Sequence, residues 1–174
     1  MKIGILGSGI VGQTLGSGFI KHTHQVKIGT GNPAKLNDWL SISGTNGSVG
    51  SFADAASFGE IIVLAVKGTA ALDVLGKAGK ETLKNKTVID TTNPIVELPP
   101  VNGVLQYFTR QNYSLMEELQ AKYPQANFVK AFSCVGNALM VNPNVGGQKP
   151  TMFIAGNDDG AKSQVKKILD TFGW

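Results

Sequence analysis

Ile3-Gly4-Ile5-Leu6-Gly7-Ser8-Gly9-Ile10-Val11-Gly12 decides how this chain folds. A short apolar strand runs into a GxGxxG turn, and a helical pattern follows from Ile10 to about Lys21. In that context each glycine has its own task. Gly7 permits the tight turn, Gly9 lets a pyrophosphate reach the backbone, and Gly12 lets the helix pack close to the strand. The first N–H groups of the helix lack intrahelical partners and carry partial positive charge. The turn therefore reads as a dinucleotide site. The bland alternative is a glycine-rich turn in an unrelated α/β protein, and the strand–turn–helix setting argues against it.

Outward from this turn, strand-like and helix-like stretches alternate. Val26-Lys27-Ile28 is a second strand and Pro33 to about Ile42 a second helix. Gly44 to Ser51 is rich in Gly and Ser, with a short strand around Val49, and Phe52 to Phe58 forms a brief helix. The uninterrupted apolar run Ile61 to Val66 marks a central strand buried on both faces. Thr69 to Leu83 reads as a helix and Thr87-Val88-Ile89 as a strand. Asn93 to about Tyr113 carries Pro94, Pro99 and Pro100 and reads as a long loop. Ser114 with Glu117 three residues on is a capping-box pattern that opens a helix. Strands are expected over Asn127 to Phe132 and Thr151 to Ala155. Asp158 or Asp159 caps a last helix that runs to about Phe172. Such alternation predicts an α/β, doubly wound, mostly parallel sheet of Rossmann type with helices on both faces. One domain is expected over 1–174, and its end at Phe172-Gly173-Trp174 suggests a partial chain, since a further strand is the natural continuation.

The second strand's end selects the dinucleotide. An NAD site normally places Asp or Glu about 20 residues past the motif, on the ribose 2′-OH. Here the stretch is Ile28-Gly29-Thr30-Gly31-Asn32-Pro33-Ala34-Lys35, and no acid occurs between Gly4 and Asp38. Nothing there repels a 2′-phosphate. Asn32-Pro33 resembles an N-cap followed by proline at the first helical position. With Thr30 and Lys35 that end forms a candidate 2′-phosphate nest, so NADP(H) is the expected cofactor. The alternative is that Thr30 and Asn32 only make the turn and Lys35 is solvated.

Composition narrows the remaining classes. A net charge of +4 without any run of Lys or Arg suits a phosphorylated small molecule and gives no footprint for nucleic acid. No apolar stretch is long enough for a membrane span. A lone cysteine, Cys134, excludes an internal disulfide and fits a reducing, cytoplasmic compartment. Cys134 reads as a small packed residue at a strand end more readily than as a nucleophile. His22 and His24 flank the first helix's C-terminus and suit a dipole role or solvation. Asp90 either orients Thr92 or Asn93 or merely caps a turn. Lys67 is either a cofactor neighbour or a solvated loop lysine. No spacing suggests a metal site or a Ser/His/Asp triad, and no catalytic acid or base is assigned.

With these residues in view, the sequence resembles the family of deazaflavin (coenzyme F420)-dependent NADP oxidoreductases. The likeness runs through Met1 to Gly9, Ile28-Gly29-Thr30, Val63 to Val66, Asp90-Thr91-Thr92-Asn93-Pro94, Val129 to Phe132 and Lys149 to Gly156. It implies hydride transfer between reduced deazaflavin and NADP. It also implies phosphate contacts at Ser8, Gly9, Ile10 and Val11, 2′-phosphate contacts at Thr30 and Asn32, and Val66, Asn93 and Pro94 along the cofactor. Ala131 and Phe132 would lie near the nicotinamide. It further implies a homodimer and a small-molecule hydride acceptor, F420 or a flavin. Three positions depart from the family pattern. Gly31 stands where Arg is common, which leaves Lys35 as the local cation. Lys67 replaces a proline, and Ser133-Cys134 replaces an Asn-Thr pair. The family's C-terminal helices, which complete the acceptor pocket and dimer, fall beyond Trp174. Two other readings stay open: a non-catalytic NADP(H)-binding or sensing module, and an NADPH-dependent reductase of β-hydroxyacid or imine type.

Overall fold

A computed structural model describes residues 1–174. Six strands form one sheet: β1 (Lys2–Leu6), β2 (Gln25–Gly29), β3 (Gly47–Gly50), β4 (Ile61–Leu64), β5 (Thr87–Asp90) and β6 (Asn127–Lys130). They lie in the order β3-β2-β1-β4-β5-β6, and every pairing is parallel. The sheet is thus wholly rather than mostly parallel.

Alternation along the strands divides the core in two. Ile61 and Val63 face one side, with Ile3, Ile5, Val26, Ile28 and Val129. Helices α1 (Ile10–Lys21), α2 (Asn37–Ser43) and α7 (Asp159–Thr171) cover that side through Leu15, Phe19, Trp39, Val165 and Ile168. Ile62 and Leu64 face the other, beneath α3 (Phe52–Phe58), α4 (Ala71–Ala78), α5 (Lys80–Leu83) and α6 (Leu115–Lys122). Burial of β4 on both faces explains its unbroken apolar run. No helix is long and apolar enough to cross a membrane.

Several expectations need correction. The Thr69–Leu83 helix is two helices, because Gly79 adopts φ +93° between them. The helix expected from Pro33 starts as a 3₁₀ turn, Pro33–Leu36, and Asn32 makes no side-chain capping bond. Instead the Asn32 N–H donates to Thr30 Oγ1 at 3.0 Å, so threonine closes the turn. Strand β4 stops at Leu64 and β6 at Lys130. Beyond β6, Phe132 takes φ +62° and turns the chain away. Thr151 to Ala155 forms no strand. A single antiparallel bridge joins Ala155 to Lys130, since the partner strand has already ended there. The expected loop from Asn93 contains a two-stranded arm with bridges Ile95–Tyr107 and Val101–Val104. Its turn is Asn102-Gly103, with φ of 51° and 78°, as a type I′ hairpin requires. Asn-Gly between two valines was the available signal.

Two capping boxes form as written in the sequence, at Ser51/Asp54 and Ser114/Glu117. Helix α7 is capped by Asp158, whose carboxylate accepts the Ala161 N–H at 2.6 Å. This helix closes one face of the core, so its first turn matters globally. Asp158→Ala should cost about 1 kcal/mol and lower the melting temperature by about 2–4 °C in a calorimetric scan. No change would mean that packing of Val165 and Ile168 holds the helix without its cap.

Candidate functional site

In a doubly wound sheet a crevice opens at the strand C-termini where chain order reverses. Here the reversal lies between β1 and β4. A cleft of about 750 Å³ occupies that position, lined by the loops that follow β1, β2, β4 and β5. Eleven of the fourteen residues singled out from sequence line it: Gly7, Ser8, Gly9, Ile10, Val11, Thr30, Asn32, Lys35, Val66, Lys67 and Asn93. The structure gathers them from four separate loops.

Gly12, Pro94 and Ala131 stand outside the lining. Gly12 is buried inside α1, where a Cβ would run into the Gly7 carbonyl, so its task is packing. Pro94 turns its carbonyl to the Phe108 N–H at 2.9 Å, anchoring the hairpin arm. Ala131 is 1% exposed in the core, and its N–H donates to the Asp90 carbonyl. Phe132 is buried beside it.

The glycine turn is built by backbone constraints. Gly7 has φ +129°, and a Cβ there would strike the Ala65 carbonyl at the tip of β4. Its N–H donates to the Gly29 carbonyl at 3.0 Å, tying the tips of β1 and β2 together. Gly9 is the N-cap of α1 and supplies no side-chain cap, so the N–H groups of the first turn stay free. A Cβ on Gly9 would meet nothing within 4 Å. The space above the helix N-terminus is open, as an approaching pyrophosphate needs.

At the β2 end, Ser8 Oγ and Thr30 Oγ1 are 2.8 Å apart, and Gln13 Nε2 donates to the Ser8 carbonyl at 2.9 Å. Lys35 is exposed beside them, and no carboxylate lines this part of the cleft. The opposite end is bounded by Thr91, Thr92, Asn93 and the base of the hairpin arm, Ile95 to Glu97. Asn93 Nδ2 donates to the Ser133 carbonyl at 2.8 Å. Glu97 is the one acid in the lining. It takes a bond from Thr69 Oγ1 at 2.9 Å and lies 3.1 Å from Lys67 Nζ. The Thr69 and Lys67 hydrogen bonds hold the Glu97 carboxyl below its ordinary range. Lys67 is therefore an exposed, paired lysine at the cleft's rim.

Sequence reasoning missed Phe52, Ala65, Gly68, Ala70 and the arm residues. Most lie after strands as ordinary apolar or small side chains, with no chemistry to mark them. Cys134 is exposed, contrary to the packed reading, and does not line the cleft. Its Sγ lies 4.0 Å from Met152 Sδ. His22 and His24 lie away from the cleft; His22 stacks on Phe172 at 5.4 Å.

Comparison with known proteins places this arrangement. The family profile described as NADP oxidoreductase, coenzyme F420-dependent, matches residues 2–94. A crystal structure from Arthrobacter sp. FB24, provisionally assigned as an F420-dependent NADP reductase, is 32% identical. It aligns over 99% of this chain and 81% of its own, with a TM-score of 0.92. A hypothetical protein from Sinorhizobium meliloti is 20% identical over 100% of this chain and 82% of its own, with a TM-score of 0.79. An imine reductase from Streptomyces aurantiacus is 13% identical over 99% of this chain and 53% of its own, at 0.70. The last two share the fold alone. No curated protein sequence matches the chain.

Gly9 and Gly12 should separate binding from folding. Gly9→Val should abolish nucleotide binding in calorimetric titration and leave the melting temperature of the ligand-free protein within about 2 °C, because the added side chain enters only open space. Gly12→Val should instead lower that temperature, because it drives α1 off the Gly7 carbonyl. Retained binding in Gly9→Val would move the phosphate site elsewhere.

Proposed function

The chain belongs to the family of coenzyme F420-dependent NADP oxidoreductases, and on that footing we propose that it binds NADP(H) in the β1–β4 cleft and supports hydride transfer with a flat deazaflavin- or flavin-like acceptor. One observation carries the cofactor part. An uncapped helix N-terminus over an open Gly9 continues into a β2 end that offers Ser8, Thr30, Asn32 and Lys35 and no carboxylate. The first feature suits a pyrophosphate, and the second suits an extra phosphate on the adenosine ribose.

Bound NADPH supplies the hydride; the protein's part is orientation and shelter. The Ile10 and Val11 N–H groups would face the pyrophosphate, and the Ser8–Thr30 hydroxyl pair and Lys35 would hold the 2′-phosphate. Val66 and Asn93 border the half of the cleft beyond the switch point, where the nicotinamide half belongs. Asn93 keeps its orientation through the Ser133 carbonyl.

The residues of this chain that line the cleft bear on the acceptor class through what they can do with protons. The titratable ones are Lys35, Lys67 and Glu97, and the last two neutralise each other. Reduction of a carbonyl or imine calls for a placed proton donor or a polarising group at the reacting atom. Ring-to-ring hydride transfer calls chiefly for alignment. This lining favours the second.

Two measurements test the reading. In calorimetric titration NADPH should bind at least about tenfold tighter than NADH, a gap of about 1.4 kcal/mol, and Thr30→Glu should reverse the order. Equal affinities would overturn the NADP assignment. With 4-deuterated NADPH and a deazaflavin, deuterium should appear on the deazaflavin ring carbon. Tight NADPH binding without that transfer would reject the acceptor class, and turnover with ketone or imine acceptors instead would favour the β-hydroxyacid or imine reductase reading.

A further inference from the structure

Asp90 is the fully buried carboxylate at the tip of β5, directly below the Thr91-Thr92-Asn93 wall of the cleft. Its Oδ1 accepts the Thr92 N–H at 2.9 Å and the Thr92 hydroxyl at 2.7 Å. Those two bonds alone would make an ordinary turn cap. The second oxygen goes further. Oδ2 accepts Lys130 Nζ at 2.8 Å, and the same ammonium donates to the Thr92 carbonyl at 2.6 Å. Thr92 is thus gripped at its N–H, its hydroxyl and its carbonyl by one ion pair spanning β5 and β6.

We propose that the Asp90–Lys130 pair is a positioning device for the reaction: it presets Asn93, and through it the nicotinamide end of the cleft, before the cofactor arrives. Three observations support this. First, an ion pair with Asp90 fully buried and Lys130 largely so adds little net stability, because desolvation offsets attraction; its better use is to specify one geometry. Second, the next residue along is the cleft residue itself. Asn93 is held on its other side by the Ser133 carbonyl, which the left-handed turn at Phe132 presents. Third, the Asn93 carbonyl lies so close to Gly68 that a Cβ there would collide with it. The tips of β4, β5 and β6 therefore meet at Asn93, and the pair beneath it removes the remaining freedom.

The inference rests on the NADP(H) reading above, so its test divides the cofactor. Adenosine 2′,5′-bisphosphate carries the adenosine half alone, whereas NADPH also engages the nicotinamide end. Asp90→Asn keeps the size of the side chain and removes the charge. In calorimetric titration it should weaken NADPH by about tenfold or more, and leave the bisphosphate within about twofold of wild type. Equal losses for both ligands would make the pair merely structural, and unchanged NADPH affinity would make it a turn cap; either overturns the proposal. Should Asp90→Asn fail to fold, Thr92→Val removes the gripped hydroxyl alone. It should show the same split at about threefold, with Thr92→Ser restoring wild-type affinity. Absence of that split also overturns the proposal. A wild-type protein that binds neither ligand would instead refute the cofactor reading itself.

Discussion

The contact between Gly7 and the carbonyl of Ala65 governs the molecule's functional end. The tips of β1 and β4 come together there with no side chain between them, at a backbone angle open to glycine. The Gly7 N–H simultaneously reaches the Gly29 carbonyl of β2. Three strand tips are thereby drawn into one small region. The helices that leave β1 and β4 then pass to opposite faces of the sheet, and the crevice between them cannot close. Any larger residue at position 7 would push the tips apart and tilt the start of α1, so the geometry of the site follows from this one approach.

Polar groups are arranged around that crevice with a clear division of labour. At the β2 end the exposed Lys35 makes no ion pair and remains available to an anion, next to the mutually bonded Ser8 and Thr30 hydroxyls. At the β5 end the polar groups are already committed to one another: Asp90 to Thr92 and Lys130, Asn93 to Ser133, Glu97 to Lys67 and Thr69. One end is built to receive charge, the other to keep a shape. That asymmetry suits a cofactor whose phosphates supply affinity and whose ring must be held in a defined orientation. It also accounts for a cleft without an evident acid–base pair in a family of oxidoreductases.

The hairpin arm from Ile95 to Phe108 adds a wall that a minimal doubly wound sheet would lack. Its base lines the cleft through Ile95, Val96 and Glu97. Its outer part exposes Leu98, Val101, Val104 and Tyr107, each more than half accessible. The Glu97 bonds to Lys67 and Thr69 join the arm to the start of the α4 region. Both side chains of the ion pair are largely exposed, so it contributes little to stability, and the hairpin itself is held by the backbone bonds Phe108 N–H to the Pro94 carbonyl and Val96 N–H to the Gln106 carbonyl.

Sequence alone determined the strand–turn–helix at Gly7 to Gly12, the doubly wound α/β class and the absence of an acid near Thr30. Each depends on local periodicity, on backbone permissiveness or on a charge that is simply present or missing. It also located the Ser114/Glu117 capping box, because its partners are three residues apart. Only the tertiary structure decided which oxygen closes the Thr30–Asn32 turn and that Ala131 is core rather than cleft. The same holds for Thr151 to Ala155, which meets β6 at one residue instead of extending the sheet. The Asp90–Lys130 pair was out of reach for the same reason. Its partners are forty residues apart in sequence and become neighbours only through the parallel register of β5 and β6, and neither residue type announces a long-range partner on its own.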